Sequence, residues 1–212
     1  MVPRPPPAAH LYRRWIARYV PVAALLLLAS GLVGFVLGSQ VPASWLEAPG
    51  TAGQSAFTPP ELTTVSLAVH NLGALFVMFL GAVSLGTATV LSLVLNGLVI
   101  GAVIAIALKQ VSPVVVAALI VPHGLVEIPA LLLVAAVGLR FGWLSIQYLR
   151  GRTDAFVTTR DLREAGWLLA LAVVLIVVAA FVEANLTLEI ADRFTDADLS
   201  GLAANSAVVS LA

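Results

Sequence analysis

The chain has 212 residues, of which 60% are hydrophobic and 10% charged, with zero formal net charge and no cysteine. Soluble domains carry about 25% charged residues, so this chain has too little charge to cover a surface facing water. Zero net charge argues against a nucleic-acid binder, and the lack of cysteine excludes disulfides, thiolate metal sites and cysteine nucleophiles.

The apolar residues fall in long runs rather than at amphipathic spacing, and runs of about 18 or more read as bilayer spans. Residues 1–19 form a head rich in proline and arginine, with Arg4, Arg13, Arg14 and Arg18. The first span is predicted over residues 20–38. Val-Pro-Ala at 41–43 has the form of a signal-peptide cleavage site, and Arg13-Arg14 gives a weak twin-arginine hint. The apolar core of about 18 residues exceeds the 7–15 of a signal sequence, which favours a retained anchor.

The loop 39–60 is rich in Pro, Gly, Ser and Thr, with Glu47 its only charge. A second span follows over 61–80, then an uncharged turn from Gly81 to Gly86, then a third span over 87–108 closed by Lys109 and Gln110. The stretch 113–142 is unusual, since a straight helix of that length would measure about 45 Å against about 30 Å of hydrocarbon. It also contains Pro122, Gly124 and Pro129, and each interior proline removes an amide donor and crowds the preceding turn. The expectation is a proline-broken segment: one kinked span, or a re-entrant arm followed by a full span. Both enter and leave on the same sides.

Arg140, Arg150, Arg152, Arg160 and Arg163 populate the polar connector that follows. Its end, Asp161-Leu-Arg-Glu164, has the D-x-x-E form of a helix N-terminal cap. The last span is predicted over 165–185, closing a transmembrane domain of residues 20–190. An acidic tail, 191–212, succeeds it; Glu189, Asp192, Asp196 and Asp198 face a single Arg193. The expected fold is therefore an all-α bundle of about five spans. The excess of arginine in the head and the connector places both in the cytoplasm, and the C-terminus outside. Only Lys109 sits on the wrong side.

Six polar residues lie at membrane depth: His70 and Asn71 in the second span, Asn96 in the third, His123 and Glu127 in the broken segment, and Glu183 in the last. An ionisable group at mid-bilayer costs about 2.5–3.5 kcal/mol on insertion scales, so it should face the bundle interior and find a partner. His123 and Glu127 share a helix face at i, i+4. Pro122 and Pro129 free the carbonyls of Ala118 and Leu125 close by. Plainer readings stand beside this one. The asparagines serve as interhelical hydrogen-bond glue, His70 as a satisfied core histidine, and Glu183 as a helix-end side chain reaching outward. The pairs Gly34 and Gly38, Gly97 and Gly101, and Gly138 and Gly142 have small-xxx-small spacing, which lets helices approach closely.

His70-Asn71, the turn 81–86, Asn96-Gly97 with Gly101, Pro122-His-Gly124 with Glu127, and Phe181-Val-Glu183 have an order and spacing that resembles the stage II sporulation protein M family. The resemblance covers roughly residues 62–187, and its PHG-x-x-E and NG-x-x-x-G elements are the specific ones. It implies a multi-pass membrane protein. The family's named member helps anchor cell-wall hydrolases during engulfment, while relatives occur in organisms that never sporulate. The Pro-rich head and acidic tail depart from the pattern, and the sporulation role is not carried over.

The expected function is a non-enzymatic membrane anchor or scaffold, with no catalytic residue and no cofactor. The partners expected are membrane lipid, other membrane or envelope proteins, or a second copy of the chain, and no nucleic acid. One alternative is a transporter or channel component that uses the buried His/Glu/Asn cluster as an ion, proton or solute site. Another is an intramembrane metal-dependent hydrolase, with His70, His123 and Glu127 or Glu183 as ligands and a zinc-bound water as nucleophile.

Overall fold

A computed structural model describes residues 8–42 and 63–187. Arg4, Ala43, Glu47, most of the 39–60 loop, Glu189 and the acidic tail lie outside the described residues. The chain forms α1 (Ala8–Leu11), a π-turn (Tyr12–Ile16), α2 (Ala17–Ser39), α3 (Thr64–Phe79) with a 3-10 extension (Leu80–Ala82), α4 (Thr87–Ala107), α5 (Pro113–Leu149), and α6 (Thr159–Val182) with a π-helical end (Glu183–Thr187). Among the described residues, five helical segments are long and apolar enough to cross a membrane: Tyr12–Ser39, Thr64–Ala82, Thr87–Ala107, Pro113–Leu149 and Thr159–Asn185. Helix is the form such sequences must take in hydrocarbon, because every backbone donor and acceptor is then satisfied within its own segment.

Side chains close several helix starts. Thr63 and Ser66 make a capping box at α3, and Ser112 caps α5 ahead of Pro113 at the first helical turn. At α6 the cap is Thr158, which pairs reciprocally with Asp161. The expected Asp161–Glu164 cap is therefore displaced by one turn. Thr158 holds the extended backbone that an N-cap needs, and this frees Glu164 for another partner.

α5 is one continuous helix that runs through Pro122 and Pro129. Of the two forms considered, the chain takes the single span and not the arm plus span. A proline disturbs one turn, while buried residues on either side, Ala118, Gly124 and Ala130, keep the helix seated. Its 37 residues correspond to about 55 Å. Arg140 to Leu149, assigned to a polar connector by sequence, are thus helix, and the connector contracts to residues 150–158. The first span likewise begins earlier than expected, with Arg13, Arg14 and Trp15 already in helical turns.

α2 and α4 pack backbone against backbone. A Cβ on Gly34 would come within 2.1 Å of the Leu98 carbonyl oxygen, one on Gly97 within 2.0 Å of Ser30 Oγ, and one on Gly101 within 1.9 Å of the Gly31 oxygen. The third pair joins α5 to the start of α4, where a Cβ on Gly142 would meet the Gly86 amide at 2.4 Å. Around these contacts Leu27, Leu75, Met78, Leu93, Val134 and Ile176 form a buried core drawn from all five spans.

The bundle has two unlike ends. One carries Trp15, Ala82, Phe141 and Ala165 in a second apolar cluster and is called here the arginine end. At the other, Lys109 Nζ donates to the carbonyls of Ser39 (2.8 Å) and Val41 (2.6 Å). The lysine that ran against the charge rule thus caps the C-terminus of α2, where a cation meets the negative end of the helix dipole.

Candidate functional site

The six polar residues singled out by sequence do not share one environment. His70 is exposed on α3, and Asn71 beside it is half-buried. Asn96 Nδ2 donates to the Ser92 carbonyl at 2.8 Å, back onto its own helix. His123 is half-buried, with Nδ1 enclosed and without a hydrogen-bond partner. Glu127 lies one turn further along α5, within electrostatic reach of Glu183 on α6. That carboxylate pair is what the structure does bring together. Among the described residues, no three His, Asp or Glu side chains converge as a metal-binding group, so the ligand set His70, His123 and Glu127 is not assembled. Gly97 and Gly101 are sites of close approach, whereas the nearest atom to a Cβ on Gly124 would be Ile120 Cγ2, at 3.8 Å on the same helix.

The densest polar constellation lies at the arginine end, on residues that sequence reasoning had assigned to head, connector and cap. Glu164 of α6 is fully buried. Its Oε2 accepts from Arg14 Nη1 and from Trp15 Nε1, both at 2.8 Å. Its Oε1 accepts from Arg160 Nε at 2.9 Å and lies 3.0 Å from His10 Nδ1. Asp161, one turn earlier, accepts at Oδ1 from Arg14 Nη2 (2.5 Å) and Arg140 Nη2 (2.8 Å), and at Oδ2 from Thr158 Oγ1 (2.6 Å). Arg160 Nη2 also meets His10 Nε2.

Packing encloses these charges. The Arg140 guanidinium lies 4.6 Å over the Trp15 ring, within cation–π range. Trp15 in turn meets Phe141 edge-on at 5.7 Å between ring centres. Arg140 Nη1 additionally donates to the Arg14 carbonyl at 3.3 Å. A buried carboxylate is tolerable only when its oxygens are occupied by donors, and here every oxygen of Asp161 and Glu164 has at least one donor or cation neighbour. With its acceptors filled, neither carboxylate offers a free base to a substrate. The arrangement instead ties three segments distant in sequence, the 10–15 turn, α5 and α6, into one unit.

Two signals in the sequence point to this network. Arg140 interrupts the apolar run Val134–Leu144, and a charge in such a run faces inward toward a partner. Asp161 and Glu164 stand three apart, on one helix face.

A family model described as stage II sporulation protein M matches residues 13–188. That range includes Arg14, Trp15, Arg140, Asp161 and Glu164 as well as the polar residues of the spans. An uncharacterized protein of Methanocaldococcus jannaschii is 30% identical over 174 residues, covering 81% of this chain and 96% of that protein. No solved structure matches the chain.

Proposed function

The chain belongs to the stage II sporulation protein M family, and from that membership we propose that it is a non-enzymatic membrane scaffold presenting a rigid cytoplasmic face to a partner protein. The observation that carries this reading is the network that occupies every oxygen of Asp161 and Glu164. Desolvating several charges is expensive, and the network spends that energy on holding the N-terminal turn, α5 and α6 in fixed register. Arg13 and Arg163, exposed on those elements, are thereby held as a preorganised basic array beside the 150–158 connector. Such an array suits an acidic segment of a partner. Its arginine content supports a cytoplasmic placement of this end.

The test uses a photo-crosslinking residue at Asp154 or Arg163 in cells. A discrete adduct that Glu164→Gln weakens, with membrane levels of the chain maintained, supports the scaffold. Absence of any adduct counts against it, as does ion or solute flux in proteoliposomes.

One observation favours a second reading. Glu127 and Glu183 lie within electrostatic reach of each other, and His123 Nδ1 is enclosed without a partner nearby, a combination that suits an ion or proton site. Flux that falls in Glu127→Gln, with folding intact, would support this reading over the scaffold.

A further inference from the structure

At the arginine end, α4 and α5 frame a lateral groove of about 480 Å³, a volume in the range of small-molecule sites. Val90, Leu91 and Val94 of α4 and Leu139, Trp143 and Ile146 of α5 line it. Leu91 is 59% and Trp143 39% exposed, so the groove opens sideways, toward the hydrocarbon that surrounds a spanning bundle. Water has little to bind there, since the lining is apolar apart from Thr87.

The α5 wall continues past the groove on the same face. Leu139, Trp143, Ile146 and Arg150 follow one another at helical spacing, which places Arg150 about 6 Å beyond Ile146 along the axis. Arg150 and Arg152 are exposed. Among the described residues neither has an acidic partner, in contrast to Arg14, Arg140 and Arg160. Trp143 belongs to the wall itself, two helical turns before Arg150, and an indole favours the membrane boundary. An apolar trough leading to an unpaired guanidinium group, that of Arg150, has the polarity of an acyl chain leading to a phosphate.

We propose that this groove is a binding site for an anionic phospholipid, with one acyl chain along Leu91, Val94 and Trp143 and the phosphate on Arg150. A zwitterionic headgroup carries its own cation, which would meet the positive charge at this end; an anionic one does not.

The test reconstitutes the full chain in phosphatidylcholine vesicles containing either brominated phosphatidylglycerol or brominated phosphatidylcholine at equal mole fraction. The signal of Trp143 is taken as the difference between the natural chain and Trp143→Phe. Brominated phosphatidylglycerol should quench Trp143 severalfold more effectively. Arg150→Gln should reduce that preference about five-fold, the worth of one arginine near an anionic surface, and Arg163→Gln should leave it unchanged. Equal quenching by the two lipids overturns the proposal, as does an equal loss in Arg163→Gln, which would mark a general surface-charge effect. Shielding of Trp143 from both lipids that lessens on dilution in the membrane would instead put a second copy of the chain in the groove. If Arg150→Gln fails to fold, the lipid preference of the natural chain and the Arg163→Gln control decide.

Discussion

Trp15 Nε1 donates a 2.8 Å hydrogen bond to Glu164 Oε2 across 149 positions of sequence. Both side chains are completely buried, and this bond joins the start of the first span to the start of the last. Because Arg14 grips the same oxygen, the indole and the guanidinium share one acceptor. Loss of either leaves the other holding a carboxylate with fewer donors than its burial requires.

Glu164→Ala should therefore be the most destabilising single change at this end. It leaves the buried Trp15 indole without its acceptor and takes from Arg14 one of its two carboxylate partners, and breaking a buried polar network from one side costs about 3–5 kcal/mol. Trp15→Phe keeps one aromatic ring in place and removes the donor together with the volume of the second ring; loss of the donor by itself should cost about 1–3 kcal/mol. Thermal unfolding of the purified chain in detergent should rank Glu164→Ala below Trp15→Phe, and Trp15→Phe below the natural chain. The reverse order would show that the carboxylate is not held by this network.

Arg140 donates to Asp161 Oδ1 beside Arg14, so changes at Arg140 and at Asp161 should not add. A double-mutant cycle with Arg140→Gln and Asp161→Asn should give a coupling energy in the range of about 0.5–3 kcal/mol, typical of residues in one network. Additivity within about 0.3 kcal/mol would mean that the two do not act on each other.

Two glycines on different helices should respond in opposite ways. Gly101→Val forces a side chain into the Gly31 carbonyl of α2, so α2 and α4 must separate and folded yield should collapse. Gly124→Ala meets nothing closer than 3.8 Å and should be neutral or slightly stabilising, because alanine is the better helix former. Folded yield after size-exclusion chromatography compares them directly.

Lys109→Met removes the cap on α2 while keeping a chain of similar length. The expected loss is about 0.3–1 kcal/mol, the usual worth of a cation at a helix C-terminus. Hydrogen exchange should quicken at residues 38–41 and remain unchanged at the arginine end. Unaltered exchange at 38–41 would show that the three carbonyls, Gly38, Ser39 and Val41, do not depend on the lysine.

Orientation is open to a clean chemical test because the chain has no cysteine of its own. With the arginine end inside, Asp154→Cys should resist a membrane-impermeant maleimide in intact cells and Gln110→Cys should react. The opposite labelling pattern would invert the topology.

The five spans were legible in the sequence because membrane insertion reads a local quantity, the apolar length of a segment. The glycine pairs were legible for a related reason, since small residues at i, i+4 leave the same gap on any helix. Proline at 122 and 129 misled in one respect. Proline weakens a turn, and whether the helix then divides depends on what packs on either side, which lies beyond the segment itself.

The polar residues divide along the same line. His70, Asn96, His123 and Glu127 were recognisable as costly at their depth, yet depth says nothing of azimuth. The fold turned His70 outward, tied Asn96 to Ser92, and set Glu127 near Glu183. Arg14 and Glu164 look like ordinary flanking charges because each stands at the end of an apolar run, and Arg140, which interrupts one, reads by itself as part of the connector. Only their convergence makes them a network.

What the sequence determined by itself is the solvent: so few charges in such long apolar runs leave lipid as the surroundings and helix as the backbone form. Which charges meet at the arginine end was decided by tertiary structure alone. Pairing across 147 or 150 positions depends on how the helices are rotated and ordered around one another. Where glycine lets two backbones touch, as between α2 and α4 and between α5 and the start of α4, that contact belongs to a pair of helices and not to any one segment.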